Sequence, residues 1–135
     1  MKYLLDTNIC VYVINRRPGK VIARLKSCQP ESVGISTIAV AELYYGCHKG
    51  DEARRPSNLQ ALLLFLTPFT TVPFDERDAE LFGKLKAMLR SRGEALADLD
   101  IAIAAQAAAR GLILITNDLR HFKRVPGLKV ENWAK

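Results

Sequence analysis

Hydrophobic residues along the chain occur in two alternating patterns, short continuous runs and longer segments with helical spacing. The short runs have the length of buried β-strands, and they lie at residues 2–6, 32–36, 69–74, 112–116 and 128–132. The longer segments predict helices, at residues 8–15, 20–28, 36–46, 58–66, 76–92 and 98–111. Because strands that are apolar throughout are covered on both faces, the alternation predicts a three-layer α/β/α domain with a central, mainly parallel sheet.

Capping residues mark several of the predicted helix ends. Ser36 is a candidate N-cap and Gly46 a candidate C-cap for the third helix, and Asp75 is a candidate N-cap for the fifth. Residues 51–57 predict a charged loop that Pro56 closes. The last helix has almost no polar side chain in its middle, which is typical of a helix that is buried on all sides.

The length and composition indicate one globular domain. The 135 residues suit a single domain that spans residues 1–135. Apolar residues make up 49% of the chain and charged residues 25%, which is enough to form a core. No apolar run approaches the roughly 20 residues of a membrane helix, and the opening run is too short for a signal peptide. We therefore expect an intracellular, cytoplasmic protein with no membrane partner.

Cysteine and histidine give little support for a metal or nucleophile site. The three cysteines, Cys10, Cys28 and Cys47, are odd in number and lack C-x-x-C spacing, which argues against a disulfide framework and against a zinc site. His48 and His121 lie far apart in sequence, and we expect both to be ordinary surface or packing residues. The 20 basic side chains exceed the 14 acidic ones, and a net charge of +6 biases the protein toward polyanions.

Four acidic residues interrupt apolar surroundings, namely Asp6, Glu42, Asp100 and Asp118. Each aspartate alone has an ordinary explanation as a helix cap or a turn residue. Glu42 does not, because it lies several residues into its helix with apolar Ile38 and Tyr45 about one turn away. We therefore expect Glu42 to be buried and to need a partner. Asp100 also looks inward, since it shares its helix face with apolar residues.

These acids are expected to meet at one edge of the sheet. Asp6 and Asp118 follow predicted strands, and α/β sheets bind their ligands at the carboxyl ends of parallel strands. A helix that runs antiparallel to its strand begins over the same edge, so Asp100 and Glu42 can reach the same crevice.

Carboxylates that share a crevice repel one another unless a cation offsets their charge. Oxygen ligands without cysteine or histidine favour a hard divalent ion, so the sequence predicts Mg²⁺ at this site, with Mn²⁺ as the alternative. Such ions bind phosphates and activate water for in-line attack at phosphorus. A basic protein with an acidic metal site suits a nucleic-acid phosphodiester, because lysine and arginine can hold the neighbouring phosphates.

Five segments resemble the PIN-domain ribonucleases, and most of all the VapC-type toxins of bacterial toxin–antitoxin pairs. They are LLDTN at 4–8, STIAVAELYYG at 36–46, DIAIAA at 100–105, LITND at 114–118 and HFKRVPGLKVENW at 121–133. The segments occur in the family's order and span both ends of the chain, and only residues 50–92 lack a distinctive motif. The resemblance implies a five-stranded parallel sheet flanked by helices, and a magnesium-dependent endoribonuclease that hydrolyses RNA phosphodiesters.

The motif positions assign roles to the four acids. Asp6, Glu42 and Asp100 match the family's first three acids, and Asp118 lies where relatives carry a fourth acid or an asparagine. The resemblance thus implies that all four are catalytic, with Asp6, Asp100 and Asp118 holding one or two magnesium ions. Glu42 would bind a second ion or the metal-bound water that attacks the scissile phosphate in line.

Three further residues are implied to support the site, and the chain departs from the family at two positions. Thr7 and Thr116 match hydroxyl positions near the metal, and Asn8 follows the first acid as it often does in relatives. Ala97 stands where relatives commonly have glycine, which would stiffen the loop before Asp100. Asp98 is an additional acid that we expect to cap a helix rather than to bind metal.

A polar, basic segment at residues 117–127 follows the strand predicted at 112–116. It contains three cations close to Asp118, which we call the basic turn: Arg120, Lys123 and Arg124. These side chains are candidates for contacts with RNA phosphates, and a solvated basic loop is the equally ordinary alternative.

The resemblance also implies partners. A toxin of this kind pairs with a small VapB-like antitoxin, which docks in or beside the acidic cleft through an inserted basic side chain. It forms a homodimer and a toxin–antitoxin hetero-oligomer, and the apolar segment 58–66 is a candidate for such a contact or for the core. Relatives with the same C-terminal ending include enzymes that cut transfer RNA, so the expected substrate is a structured RNA such as tRNA, cut in a single-stranded loop.

Three other functions remain to be weighed. A haloacid-dehalogenase-type phosphohydrolase needs a second aspartate two residues after Asp6, and that position is Asn8. A phospho-acceptor receiver domain needs an acceptor aspartate after a middle strand, and the segment at 32–37 offers none. A catalytically silent PIN-like RNA-binding or scaffold domain is the alternative from a different class, and an assay for RNA cleavage with magnesium and with a chelator separates it from a nuclease.

Overall fold

The computed structural model describes residues 1–135 and has a five-stranded sheet at its centre. All neighbouring strands are parallel, in the order β3-β2-β1-β4-β5. The strands are β1 (Tyr3–Leu5), β2 (Val33–Ser36), β3 (Thr70–Val72), β4 (Ile113–Ile115) and β5 (Lys129–Glu131). The strand order reverses between β1 and β4, where Leu5 lies beside Ile115. The α/β fold and its five parallel strands are therefore confirmed, and ligand crevices of such sheets form at this reversal.

Seven helices connect the strands, and none of them is both long and apolar enough to span a membrane. They are α1 (Thr7–Asn15), α2 (Gly19–Lys26), α3 (Thr37–Lys49), α4 (Arg55–Leu66), α5 (Glu76–Ser91), α6 (Asp98–Ala109) and α7 (Leu119–Phe122). Short 3₁₀ turns occur at Pro30–Ser32 and Glu52–Arg54.

The core lies on both faces of β1 and around α6. All three residues of β1 are buried, and so is every residue of α6 from Ile101 to Ala107. This agrees with the prediction of a helix covered on all sides. The burial holds the first turn of α6 in a fixed place, and that turn carries Asp100.

Two local predictions are wrong, and one short helix was not predicted. α3 does not end at Gly46 but runs to Lys49, because Cys47 continues its buried face. Pro56 does not close a loop; it lies in the first turn of α4, where proline is tolerated because the early amides have no partner within the helix. The segment after β4 forms the single-turn helix α7, which Asp118 caps.

A buried ion pair joins the start of α5 to the end of α6. Asp78 is fully buried, and the Arg110 guanidinium donates to its Oδ2 at 2.9 Å and to Asp75 at 3.1 Å. Asp75 and Asp78 also form a capping box at the start of α5, so the predicted Asp75 cap is confirmed. Arg110 follows the last residue of α6, at the opposite end of that helix from Asp100, so we assign this ion pair a structural role.

Candidate active site

Asp6 lies between β1 and α1, and its surroundings disfavour the ionised form of its carboxyl group. Its Oδ1 accepts a hydrogen bond from the Ile9 amide at 2.9 Å, and only 6% of the residue is exposed. Burial raises the pKa of Asp6 to about 6; the Thr116 hydroxyl and the Ile9 amide lower this pKa, and the charges of Asp100 and Asp118 raise it. Asp6 is thus both a helix cap and a carboxylate that lacks sufficient compensation.

Glu42 lies in the middle of α3, and its partner is a neutral hydroxyl on another helix. Thr7 Oγ1 donates to Glu42 Oε1 at 2.6 Å, across 35 residues of sequence. The expectation that Glu42 is buried with Tyr45 beside it is wrong, since Glu42 is only half-buried and Tyr45 is 66% exposed. The side of α3 that carries Glu42 lines an open groove, which leaves this carboxylate reachable from solvent.

Asp100, in the first turn of α6, links the four acids electrostatically. Burial raises its pKa, the charges of Glu42 and Asp118 raise it further, and His121 lowers it. Asp6 in turn responds to Asp100 and Asp118. The four predicted acids therefore act on one another's charge at the strand-order reversal, as expected for side chains that share a crevice.

Asp118 follows β4 and caps α7. Thr116 Oγ1 accepts a hydrogen bond from the Asp118 amide at 2.9 Å, which fixes the turn between them. The His121 imidazole places Nδ1 at 2.8 Å and 2.9 Å from the two carboxylate oxygens of Asp118. The prediction treated His121 as an ordinary surface or packing residue and did not include this contact. The available sequence signal was its position three residues after a capping aspartate, which puts both on one face of the helical turn.

The candidate site acids differ from Asp98 in their counter-charges. Asp6, Glu42 and Asp100 form no ion pair with lysine or arginine. Asp98 is held by Lys86 and by Arg90, each at 3.1 Å. The expectation that Asp98 caps α6 is wrong, because the capping position is Ala97 and Asp98 is the first helical residue. Its charge is already compensated, so it makes a poor ligand.

The donor chemistry of the site fits a hard divalent cation. No three His, Cys, Asp or Glu side chains converge into a ready-made metal cage. Mg²⁺ does not require one, since it usually keeps several waters and binds one or two carboxylates. Asp6, Asp100 and Asp118 offer oxygen donors whose mutual repulsion a cation would relieve. These residues therefore suit a hydrated ion better than an enclosed site.

The supporting residues predicted from the motifs differ in burial and in their contacts. Thr116 is fully buried and accepts a hydrogen bond from the Asp118 amide, whereas Asn8 is exposed and makes no side-chain hydrogen bond. All three cations of the basic turn are exposed, and none of them forms an ion pair. They are therefore free to meet a polyanion.

A groove of about 530 Å³ runs from the site between α1, α3 and α4. Thr7 and Glu42 lie along it, and apolar side chains including Val11 and Leu62 form much of its wall. In the apolar segment of α4, Leu62 is buried in the core, whereas Leu63 and Leu64 are 55% and 68% exposed.

Comparison with known proteins places these features in a family. Residues 3–128 match the family model described as PIN domain. The chain is 42% identical over 134 residues to "Ribonuclease VapC2" of Haemophilus influenzae, and 35% identical over 134 residues to "tRNA(fMet)-specific endonuclease VapC" of Shigella flexneri; each match covers 99% of both chains. Its structure resembles a chain of VapBC2 from Rickettsia felis bound to a promoter DNA fragment, with a TM-score of 0.91, 35% identity and coverage of 98% of this chain and 99% of the other.

Proposed function

Because this chain belongs to the PIN-domain family and is a VapC-type ribonuclease toxin of a toxin–antitoxin system, we propose that it is a magnesium-dependent endoribonuclease. The observation that carries the proposal is the set of four carboxylates that influence one another's charge, none of which forms an ion pair with lysine or arginine. Such a set favours binding of a divalent cation, because burial and mutual repulsion both raise the pKa of Asp6 and of Asp100, and a cation offsets both effects.

Asp6, Asp100 and Asp118 would hold the ion, with Mn²⁺ able to replace Mg²⁺. When bound, the ion polarises the scissile phosphate and makes water a stronger nucleophile at neutral pH. Asp6 caps α1 through Oδ1, so Oδ2 would be the oxygen left for the ion. The carboxylates are thereby presented from the ends of β1 and β4 and from the first turn of α6.

Glu42 would orient the attacking water. Thr7 donates to Oε1 and leaves Oε2 available to accept a proton from that water. The hydrogen bond also limits rotation of the Glu42 side chain, which is only half-buried. Thr7 is therefore a positioning residue in this mechanism, and Glu42 is the group that touches the reacting atoms.

The basic turn would hold phosphates next to the scissile bond. Its three cations are exposed and unpaired, and they follow directly after Asp118. Contacts of this kind fix the register of a nucleic acid without reading its sequence. The relative from Shigella flexneri is named for cleavage of tRNA(fMet). A structured RNA such as tRNA, cut in a single-stranded loop in the cytoplasm, is accordingly the proposed substrate.

A test of the proposed function uses the purified chain, total tRNA, Mg²⁺ and a chelator. We expect cleavage with Mg²⁺, none with the chelator, and none by Asp100→Asn. The matched control is Asp98→Asn, which removes an exposed acid two residues away that is already paired. Sequencing of the RNA ends then identifies the cut. Full activity of a folded Asp100→Asn protein would refute the site, and wild-type protein that binds RNA without cutting it would support the scaffold alternative.

The partner is proposed to be a VapB-like antitoxin that occupies the groove beside Glu42. The similar structures from Rickettsia felis and Salmonella typhimurium are VapBC complexes. An apolar segment would fill the groove, and a lysine or arginine at its end would reach the uncompensated acids. Replacing Val11 by glutamate should weaken co-purification of the antitoxin and leave the fold unchanged, since Val11 is 37% exposed. Undiminished co-purification would contradict this placement.

A homodimer is also proposed, with the exposed part of α4 as its candidate contact. Leu63 and Leu64 are adjacent, exposed and apolar, which is unusual for a helix face that meets only water. A Leu63→Glu, Leu64→Glu double variant should sediment as a monomer while the wild type sediments as a dimer. A dimeric double variant would move the contact elsewhere.

A further inference from the structure

His121 contacts the candidate site at Asp118 through both carboxylate oxygens, at 2.8 Å and 2.9 Å from its Nδ1. We propose that His121 is a positioning residue that holds Asp118 in the orientation that binds the divalent cation. The inference rests on the proposed function, in which Asp118 is one of the residues that hold the ion. It gives a role to a side chain that the sequence motifs leave unassigned.

The hydrogen-bonding chemistry defines what His121 does. A carboxylate only accepts hydrogen bonds, so the proton of this contact lies on Nδ1 of the imidazole. A neutral imidazole is sufficient for the contact, and no change of charge is needed. The same pattern occurs at the other acids, because Thr7 donates to Glu42 and Thr116 lies beside Asp6. Neutral donors orient the site acids without cancelling the charge that attracts a cation.

The short helix α7 makes His121 a firm support. Phe122, the next residue, is 2% exposed and Val125 is 2% exposed, so the turn that carries His121 is anchored in the core. Asp118 itself has a side chain that is 40% exposed, and burial alone does not fix its rotamer. Without the imidazole, the Asp118 carboxylate would retain only its weaker contact with the His121 amide, at 3.4 Å.

The loss of a hydrogen-bond partner of a metal-binding side chain has an effect on metal affinity of known size. Removing such a partner typically lowers metal affinity by about 10–100-fold, because the ligand is no longer held in the binding orientation. We therefore expect His121→Ala to weaken Mn²⁺ binding by this factor. His121→Asn should retain most of the affinity, since its amide nitrogen can occupy the place of Nδ1. The longer side chain of His121→Gln cannot donate from that place, and this variant should behave like the alanine variant.

The experiment is a calorimetric titration of the full chain with Mn²⁺ alone, without RNA. The matched control is His48→Ala, which removes the only other histidine, an exposed residue near the end of α3. A second set of variants carries Asp118→Asn, in which His121→Ala should cause no further loss. This double-mutant cycle separates an effect through Asp118 from general damage to α7.

Each outcome decides the proposal. Weaker binding by the alanine variant, rescue by asparagine and no effect in the Asp118→Asn background support it. Unchanged or tighter Mn²⁺ binding by His121→Ala overturns it, and so does a wild type that binds no Mn²⁺. RNA cleavage is measured separately on the same samples. If the wild type cleaves RNA but its Mn²⁺ affinity does not depend on His121, only the inference about His121 is refuted. If Mn²⁺ binding depends on His121 but the protein does not cleave RNA, only the proposed nuclease function is refuted.

Discussion

Replacing Asp6 by asparagine should stabilise the metal-free protein while abolishing cleavage. Burial raises the pKa of Asp6 from 3.8 to about 6, so the folded state binds its proton more tightly than the unfolded chain does. Between these two values the folded state holds more protons, and the stability that Asp6 contributes is lost as the pH rises through this interval. Above about pH 6 the folded protein carries an unfavourable buried charge that asparagine lacks.

The magnitude follows from the size of the shift. A difference of roughly two pH units in pKa corresponds to about 3 kcal/mol, since each unit is worth 1.36 kcal/mol. Asparagine is itself a good N-cap and can still accept from the Ile9 amide, so little of this gain should be lost through the cap. For a domain of this length, about 3 kcal/mol corresponds to a rise in Tm of about 10 °C.

The assay is urea denaturation in EDTA from about pH 4 to about pH 8, followed by the fluorescence of the buried Trp133. The stabilisation by Asp6→Asn should be largest above pH 6 and should shrink toward zero near pH 4. Added Mg²⁺ should stabilise the wild type and not the variant. The control Asp98→Asn breaks exposed ion pairs and should lose less than about 1 kcal/mol. An Asp6→Asn protein that is less stable than wild type at pH 8, or a difference independent of pH, would refute the reasoning.

Three further changes probe the ion pair, the hydroxyl and the basic turn. Arg110→Met should lower the free energy of unfolding by about 3–5 kcal/mol, since it leaves Asp78 buried and unpaired; a loss below about 1 kcal/mol in urea titrations would contradict this. Thr7→Val should lower kcat by about 10–100-fold by releasing Glu42, whereas Thr7→Ser should not; equal kcat values would disprove that role. Alanine at all three positions of the basic turn should raise KM and reduce the salt dependence of RNA binding by up to about 0.7 in log–log slope per lost contact, and an unchanged slope would exclude phosphate contacts.

The sequence predicts the layers of this fold well because continuous apolar strands and periodic helices are local patterns. The positions of β1 and β4 are predicted correctly, since strands that are covered on both faces contain few polar residues. The order of the strands does not follow from those runs, which look alike. The helix α7 was missed because its four residues are too few for a periodic pattern, and its stability comes from the burial of Phe122 and from its capping aspartate.

The acids of the site could be predicted from the sequence, but most of their partners could not. A carboxylate in apolar surroundings is visible locally, and this identified Glu42 and Asp100 as candidates. The hydrogen bond from Thr7 to Glu42 joins residues that are 35 positions apart, and no local pattern contains it. Asp98 shows that a local pattern can also suggest the wrong role. Its position suggests a cap, whereas Lys86 and Arg90 on the neighbouring helix determine its role.

A residue that caps a helix can also serve the candidate site, as Asp6 and Asp118 illustrate in different ways. At Asp6, Oδ1 caps α1, and the capping bond does not use Oδ2. At Asp118, capping of α7 and the contact with His121 restrain the same side chain from its own helix. Each cap lies immediately after a strand or one turn beyond it, so the start of a helix holds the acid at the carboxyl edge of the sheet. If the proposed cation binds here, capping would supply the positioning of its ligands without an enclosed cage of side chains.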